Sequence, residues 1–227
     1  MITTIIFDLD DTLYDEIEYC KSGFTAVAEY LSKQSCSLSA NYIFEIIWNK
    51  FNAGNHTKAF NATLDELKIG YDDRFIHEMV RIYRNHMPSI KLPQDSRDVL
   101  GLLKIKYNLG LLTDGFLPAQ RLKVRALGIE KYFKCIIYTE ELGRDYWKPS
   151  PTGFEKILLN LRAKPENTVY IADNEKKDFI APNKLGFSTV QLIRPAGLHQ
   201  NTTQELNAPA QHIIHQINRL PSLLEEL

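Results

Sequence analysis

Residues 5–12 of the chain read Ile-Ile-Phe-Asp-Leu-Asp-Asp-Thr, an apolar run that leads directly into acidic side chains. Such a run predicts a buried strand with the carboxylates beyond its carboxyl end. Side chains two apart on a strand point the same way, so we expect Asp8 and Asp10 to face one cleft. One carboxylate there can attack phosphorus while the other handles the leaving-group proton. Alone, the pattern is weak, because acidic residues after a strand are more often turn formers or helix caps.

Three further polar segments follow apolar runs in fixed order. They are Leu-Leu-Thr-Asp-Gly at 111–115, Lys-Pro-Ser-Pro at 148–151 and Ala-Asp-Asn-Glu-Lys-Lys-Asp at 172–178. Taken one at a time, each has an ordinary structural explanation: the first is typical of a turn, the second of a solvated loop lysine, and the third of the charged start of a helix. Their shared position argues against coincidence, because each lies just beyond a predicted strand, at the sheet edge where open α/β sheets bind ligands.

Strands and helices are predicted to alternate along most of the chain. This alternation, with near-continuous apolar strands, predicts an α/β fold with a doubly wound parallel sheet and helices on both faces. We expect strands at residues 4–7, 109–112, 135–138, 168–172 and 188–192, with a weaker edge strand at 212–217. Helices are expected at about 95–106, 118–127, 152–161 and 179–184, and a last one ends at 227.

Together the four segments resemble the haloacid dehalogenase (HAD) superfamily, and specifically its magnesium-dependent phosphatases. The resemblance spans residues 2 to about 192. It implies that Asp8 is the nucleophile and Asp10 the general acid and base. It further implies that Thr113 and Lys148 bind the substrate phosphate. The main-chain amides of Asp114 and Gly115 precede a predicted helix and are expected to donate to the phosphate oxygens too.

The resemblance also implies a Mg²⁺ site. A phosphate dianion and a carboxylate repel each other, and Mg²⁺ is a hard cation that binds both. The expected ligands are Asp8, Asp173, the main-chain carbonyl of Asp10 and, directly or through water, Asp178. The chain departs from the family at Ala172, where Gly is common; since Ala is small, we expect the metal site to be intact.

Residues 15–88 break the alternation, with helical patterns at about 17–33, 40–51, 58–67 and 73–86. This insertion resembles the cap that follows the first motif in part of the family. We therefore expect a Rossmann-like core at 1–14 and 89–227, a small all-helical cap domain at 15–88, and hinges near 14–16 and 88–93. Cap closure would exclude water and shape substrate choice. Cap aromatic residues could contact the substrate, although at helical spacing most are expected to form the cap core.

Composition narrows the function classes. The 227 residues carry a net charge of −1 without a basic run, so no nucleic-acid partner is expected. No apolar stretch reaches membrane-spanning length. Because the first strand is predicted within a few residues of Met1, no signal peptide is expected. Three scattered cysteines, Cys20, Cys36 and Cys135, favour a reducing, cytoplasmic setting. A small phosphorylated metabolite is the expected partner, and the protein is expected to be a monomer or homodimer.

The expected reaction is hydrolysis of a sugar phosphate, a sialic acid phosphate or a nucleotide through an aspartyl-phosphate. Three alternatives remain open. A dehalogenase uses the same nucleophile without metal and without a second Asp, so Asp10, Asp173 and Asp178 argue against it. A phosphomutase is compatible with the core motifs. A non-catalytic metabolite-binding module could also use this scaffold.

Overall fold

The computed structural model describes residues 1–34, 38–195, 197–198 and 208–227, so Cys36 lies outside the described residues. It divides into two compact units, Met1–Ile17 with Lys91–Leu227 and Glu18–Ile90. Within the described ranges, no helix is both long and apolar enough to cross a membrane.

The larger unit is built on a parallel sheet. Its described residues form six strands in the order β3-β2-β1-β4-β5-β6. The strands are β1 (Thr4–Phe7), β2 (Asn108–Thr113), β3 (Cys135–Tyr138), β4 (Thr168–Ala172), β5 (Ser188–Leu192) and β6 (His212–Ile214). The predicted fold class is confirmed. The edge strand was predicted too long at 212–217, since β6 pairs only with the last three residues of β5 and the chain then turns into a 3₁₀ helix, Ile217–Arg219.

Helices alternate with these strands as the apolar pattern predicted. Within the described residues the α-helices are α1 (Glu16–Gln34), α2 (Ala40–Asn52), α3 (Ala59–Glu66), α4 (Asp73–Asn85), α5 (Gln94–Lys106), α6 (Ala119–Leu127), α7 (Thr152–Leu161), α8 (Ile180–Leu185) and α9 (Leu220–Glu226). Helix α6 ends at Gly128, whose left-handed conformation (φ 62°) is the usual way to terminate a helix.

Strand β1 lies in the middle of the sheet, and all four of its residues are buried. Phe7 at its end is in register with Leu111 on β2 and Ile171 on β4. The Asp8 amide continues the ladder by donating to the Ile171 carbonyl at 2.9 Å. Because parallel strands end at the same edge, this register brings the ends of β1, β2 and β4 together.

The smaller unit is helical. Its aromatic side chains pack on one another: Phe24 on α1 contacts Phe51, Phe60 and Tyr83, with ring centroids 5.3–6.0 Å apart. A Cβ added at Gly23 would lie 2.4 Å from the Tyr83 ring. Glycine at this position therefore permits the close approach of α1 and α4. These rings form the core of the unit.

Candidate active site

Lys148 lies at the centre of a buried ion cluster at the strand edge. Its ammonium is 2.5 Å from Asp8 Oδ1 and 2.7 Å from Asp178 Oδ1, and it donates to the Tyr170 hydroxyl at 3.1 Å. Tyr170 in turn donates to Asp178. Burial alone would lower the pKa of Lys148, but Asp178 and Asp8 hold that pKa well above its ordinary value. Lys148 is therefore an ammonium in this structure.

Three carboxylates crowd together beside Lys148. Asp8, Asp173 and Asp178 each offer an oxygen, and these oxygens lie within 4.8 Å of one another. Burial, with the charges of Asp178 and Asp8, raises the pKa of Asp173 well above its ordinary value. Burial raises the pKa of Asp8 to about 7 against the opposing charge of Lys148. An all-oxygen donor set whose mutual repulsion a cation would relieve fits Mg²⁺, which prefers carboxylate ligands.

Asp178 is the most constrained of these carboxylates, with no exposed side-chain surface. Its Oδ2 accepts a hydrogen bond from the main-chain N–H of Asn174 at 3.1 Å, while its Oδ1 contacts the Lys148 ammonium. Burial opposes its ionisation, yet Lys148, Lys177 and these hydrogen bonds hold the pKa of Asp178 below its ordinary value. Asp178 is therefore a fixed negative charge that orients Lys148 as well as a possible metal ligand.

Asp10 is held by a second group of side chains. Its Oδ1 accepts hydrogen bonds from the Tyr14 hydroxyl at 2.6 Å and the Lys123 ammonium at 2.8 Å, and its Oδ2 accepts from Gln120 Nε2 at 2.8 Å. Burial alone would raise the pKa of Asp10, but Lys123 and the hydrogen bonds hold that pKa below its ordinary value. Asp10 is thus a carboxylate in this structure.

The second motif lies beside Asp10. Thr113 is buried, and its hydroxyl accepts a hydrogen bond from Gln120 Nε2 at 2.6 Å. The Asp114 carboxylate accepts from Thr139 Oγ1 at 2.7 Å and from the Lys148 amide at 3.2 Å, so it anchors the loop that carries Lys148. Gly115 has a φ of 134°, and a Cβ there would lie 2.8 Å from Gln120. Only glycine fits this turn without moving Gln120.

These groups surround one cleft of about 200 Å³. Asp8 and Asp10 both line it, although β1 ends at Phe7 and strand periodicity no longer holds at Asp10. The predicted residues Asp114, Gly115 and Asp173 line it too, together with Glu16, Trp147 and Lys177, which the motifs did not predict. The predicted residues Thr113, Lys148 and Asp178 do not line the cleft. Lys148 contacts the lining residue Asp8 and also Asp178, and Thr113 contacts Gln120, which holds Asp10.

Sequence reasoning missed the side chains that surround Asp10. Gln120 and Lys123 lie three residues apart on α6, so they share a face, and both are buried. The signal was present in the sequence, because two polar residues sit on the same buried face as Val124 and Leu127. The sequence alone does not show which side chain Gln120 and Lys123 would contact.

Comparisons with known proteins identify the family of the chain. A family model described as haloacid dehalogenase-like hydrolase matches residues 5–192. A glyceraldehyde 3-phosphate phosphatase from Methanocaldococcus jannaschii is 28% identical over 86% of each chain. The N-acylneuraminate-9-phosphatase of Rattus norvegicus is 23% identical over 100% of this chain and 95% of its own.

A solved structure shows the same fold. YfnB from Bacillus subtilis, described as a HAD-hydrolase bound to magnesium, superposes with a TM-score of 0.67 at 21% identity, over 98% of both chains. The chain therefore belongs to the haloacid dehalogenase-like hydrolases, and its relatives place it among the phosphatases of that family, as its four motifs predicted.

Proposed function

We propose that the enzyme is a Mg²⁺-dependent phosphatase that hydrolyses a small phosphate monoester through an aspartyl-phosphate at Asp8. The observation that carries this proposal is the contact of Lys148 with both Asp8 and Asp178, beside Asp173, at the edge of the sheet. A nucleophile, a fixed cation and a set of oxygen ligands thus meet in one cleft.

Asp8 is the nucleophile in this proposal. Lys148 holds its Oδ1, which leaves the other carboxylate oxygen to attack phosphorus in line. The ammonium has three hydrogens and contacts three oxygens, on Asp8, Asp178 and Tyr170. Lys148 must therefore share or exchange one of these contacts to reach a phosphate oxygen. Thr113 and the amides of Asp114 and Gly115 complete the phosphate site.

The metal would be held by Asp8, Asp173, Asp178 and the main-chain carbonyl of Asp10. When bound, Mg²⁺ supplies positive charge that offsets the repulsion between the phosphate dianion and the carboxylates. The crowding of Asp8, Asp173 and Asp178 within 4.8 Å supports this assignment.

Asp10 is the acid and then the base. It is ionised in the structure, because its pKa lies below the ordinary value despite burial. To act as an acid, Asp10 must take up a proton when the substrate binds. The like charge of a phosphate dianion favours the protonated form, whereas Lys123 opposes it. Asp10 then protonates the departing alkoxide and later deprotonates the water that hydrolyses the aspartyl-phosphate.

Asp10→Asn should bind Mg²⁺ and substrate almost normally yet turn over about 10²–10⁴-fold more slowly on an alkyl phosphate. The loss should be smaller on nitrophenyl phosphate, because an aryl oxide departs without a proton. Single-turnover measurement of Asp8 phosphorylation on both substrates tests this, since the later base step does not then interfere. An equal loss on both would contradict the acid role, and a variant that no longer binds Mg²⁺ would place the side chain in the metal site.

The substrate we propose is a phosphorylated sugar or a related small metabolite. Two relatives are named for glyceraldehyde 3-phosphate and N-acylneuraminate 9-phosphate. Trp147 lines the cleft and packs edge-on against Phe116, so it offers an apolar wall to a carbon skeleton. The unit Glu18–Ile90 would then act as the cap that selects the leaving group.

The remaining features of the proposal concern the setting in which the enzyme works. Cys135 is a free thiol, and the chain has only three cysteines, scattered in sequence, which fits the reducing cytoplasm. We propose a monomer or homodimer there, with neither nucleic acid nor membrane as a partner.

A substrate panel tests the proposal. With Mg²⁺ present, nitrophenyl phosphate should be hydrolysed and sugar phosphates should give the highest kcat/KM, ahead of nucleotides. Controls should include a 2-haloacid, for dehalogenase activity, and a sugar monophosphate followed for phosphate migration, for mutase activity. Halide release or migration without free phosphate would contradict the proposal in favour of those activities. If no phosphate ester is hydrolysed, the result would contradict the proposal and favour a non-catalytic metabolite-binding module.

A further inference from the structure

Helix α6 places a buried lysine against the acid–base residue. The Lys123 side chain is only 3% exposed, and its ammonium lies 2.8 Å from Asp10 Oδ1 and 3.2 Å from Glu16 Oε1. Taking an ion pair out of water costs several kcal/mol per ion, and apolar residues of similar volume are often at least as stabilising. Stability is thus a poor explanation for a lysine at this position.

Gln120 acts on the other oxygen of the same carboxylate. Its Nε2 donates to Asp10 Oδ2 at 2.8 Å and to Thr113 Oγ1 at 2.6 Å, which occupies both of its hydrogens. The Asp10 carboxylate is thereby held at both oxygens from one helix. Since Thr113 ends β2, Gln120 also ties Asp10 to the second motif.

Holding both oxygens fixes the plane and direction of the carboxyl group. A proton donor must meet the leaving oxygen at hydrogen-bond distance and in line with a lone pair, and small misplacements lower the rate steeply. Asp10 lies beyond the end of β1, so the sheet does not fix its side chain. Tyr14 contacts Oδ1 as well, at 2.6 Å, but among the described residues only the two side chains of α6 hold both oxygens.

We propose that Lys123 and Gln120 are positioning residues that hold the Asp10 carboxyl toward the leaving-group oxygen. Glu16 is the second carboxylate that contacts the Lys123 ammonium and helps to hold it in place. The inference rests on the proposed phosphatase function and on the acid role of Asp10. It assigns to α6 a part in the proton step that none of the four motifs contains.

Lys123→Met removes the charge and keeps the length of the side chain. We expect kcat on the best alkyl phosphate to fall about 10- to 100-fold, with KM within about twofold and a clearly smaller loss on nitrophenyl phosphate. Arg121→Met is the matched control, because Arg121 lies on the same helix but is 60% exposed and pairs at the surface with Glu141. This control should behave as wild type.

A double-mutant comparison separates positioning from general damage. If Lys123 acts through Asp10, then Lys123→Met added to Asp10→Asn should cost little further activity, because groups that act as a unit are non-additive. Gln120→Met should show the same leaving-group dependence and the same non-additivity. If Lys123→Met does not fold, Gln120→Met tests the positioning role instead, because replacing a neutral side chain leaves no buried charge without its partner.

Equal losses on both substrates, an additive double variant, or no loss at all would overturn the inference. These outcomes are distinct from failure of the proposed function. An inactive wild type would refute the phosphatase itself. An active wild type, with a leaving-group-dependent Asp10→Asn variant but unresponsive Lys123 and Gln120 variants, would refute only the positioning role.

Discussion

Asp8→Asn is expected to remove turnover to background while leaving the folded protein at least as stable as wild type. An amide cannot accept the phosphoryl group, so no aspartyl-phosphate can form. The expectation for stability follows from charge. Burial raises the pKa of Asp8 to about 7 even with Lys148 opposing it, so above that pH the folded state holds a carboxylate it disfavours. Removing the charge should maintain or raise the melting temperature at pH 8 without metal.

The measurements are a phosphate-release assay and thermal unfolding in metal-free buffer. Asp98→Asn serves as the control, because Asp98 is an exposed carboxylate of the same unit and should change neither quantity. Substantial activity in pure Asp8→Asn protein would rule out Asp8 as the nucleophile. A large loss of stability would show that Asp8 holds the fold together through Lys148 rather than serving chemistry at a cost to stability.

Removing the metal with EDTA should likewise reduce turnover to background, and Mg²⁺ should restore it. The physical reason is the repulsion between the substrate dianion and Asp8, Asp173 and Asp178, whose oxygens lie within 4.8 Å of one another. Ca²⁺ should restore little activity, because its larger and looser coordination misplaces the phosphate. Inductively coupled plasma analysis of the treated protein verifies that the metal has been removed.

Binding of the metal can be followed without turnover. Mg²⁺ should raise the melting temperature, with a stabilisation of about 2.7 kcal/mol at 100 times the dissociation constant. In Asp173→Asn this shift should shrink, because the proposed ligand loses its negative charge. Full phosphatase activity in metal-free buffer would contradict the proposed Mg²⁺ dependence.

The sequence predicted the sheet well because each strand is an apolar run that needs no partner to be recognised. β1, β3, β4 and β5 have the bounds that were predicted, and β2 is one residue longer at each end. The predicted edge strand fails after Ile214, where the neighbouring strand ends. The end of an edge strand depends on its partner, which a local pattern does not contain.

The site was predictable where a polar residue directly follows a strand, as Asp8 and Asp173 do. Gln120, Lys123 and Tyr14 were missed, because their importance depends on contacts with Asp10 rather than on their own motif. Lys123 and Asp10 are 113 residues apart in the chain. Sequence periodicity can show that Lys123 faces inward but cannot say what it meets there.

The central place of β1 has a consequence for how the chain folds. Both neighbours of β1 come later in the chain, with β2 starting at Asn108 and β4 at Thr168. Synthesis proceeds from the amino end, so β1 is made before either of the strands that pair with it. The local contacts of the helical unit can therefore form before β1 is paired. Asp8 and Lys148 are 140 residues apart in the chain, so only long-range tertiary structure brings them together. Recovery of activity during refolding therefore reports the formation of a long-range contact in the sheet unit, which folding of the helical unit alone cannot produce.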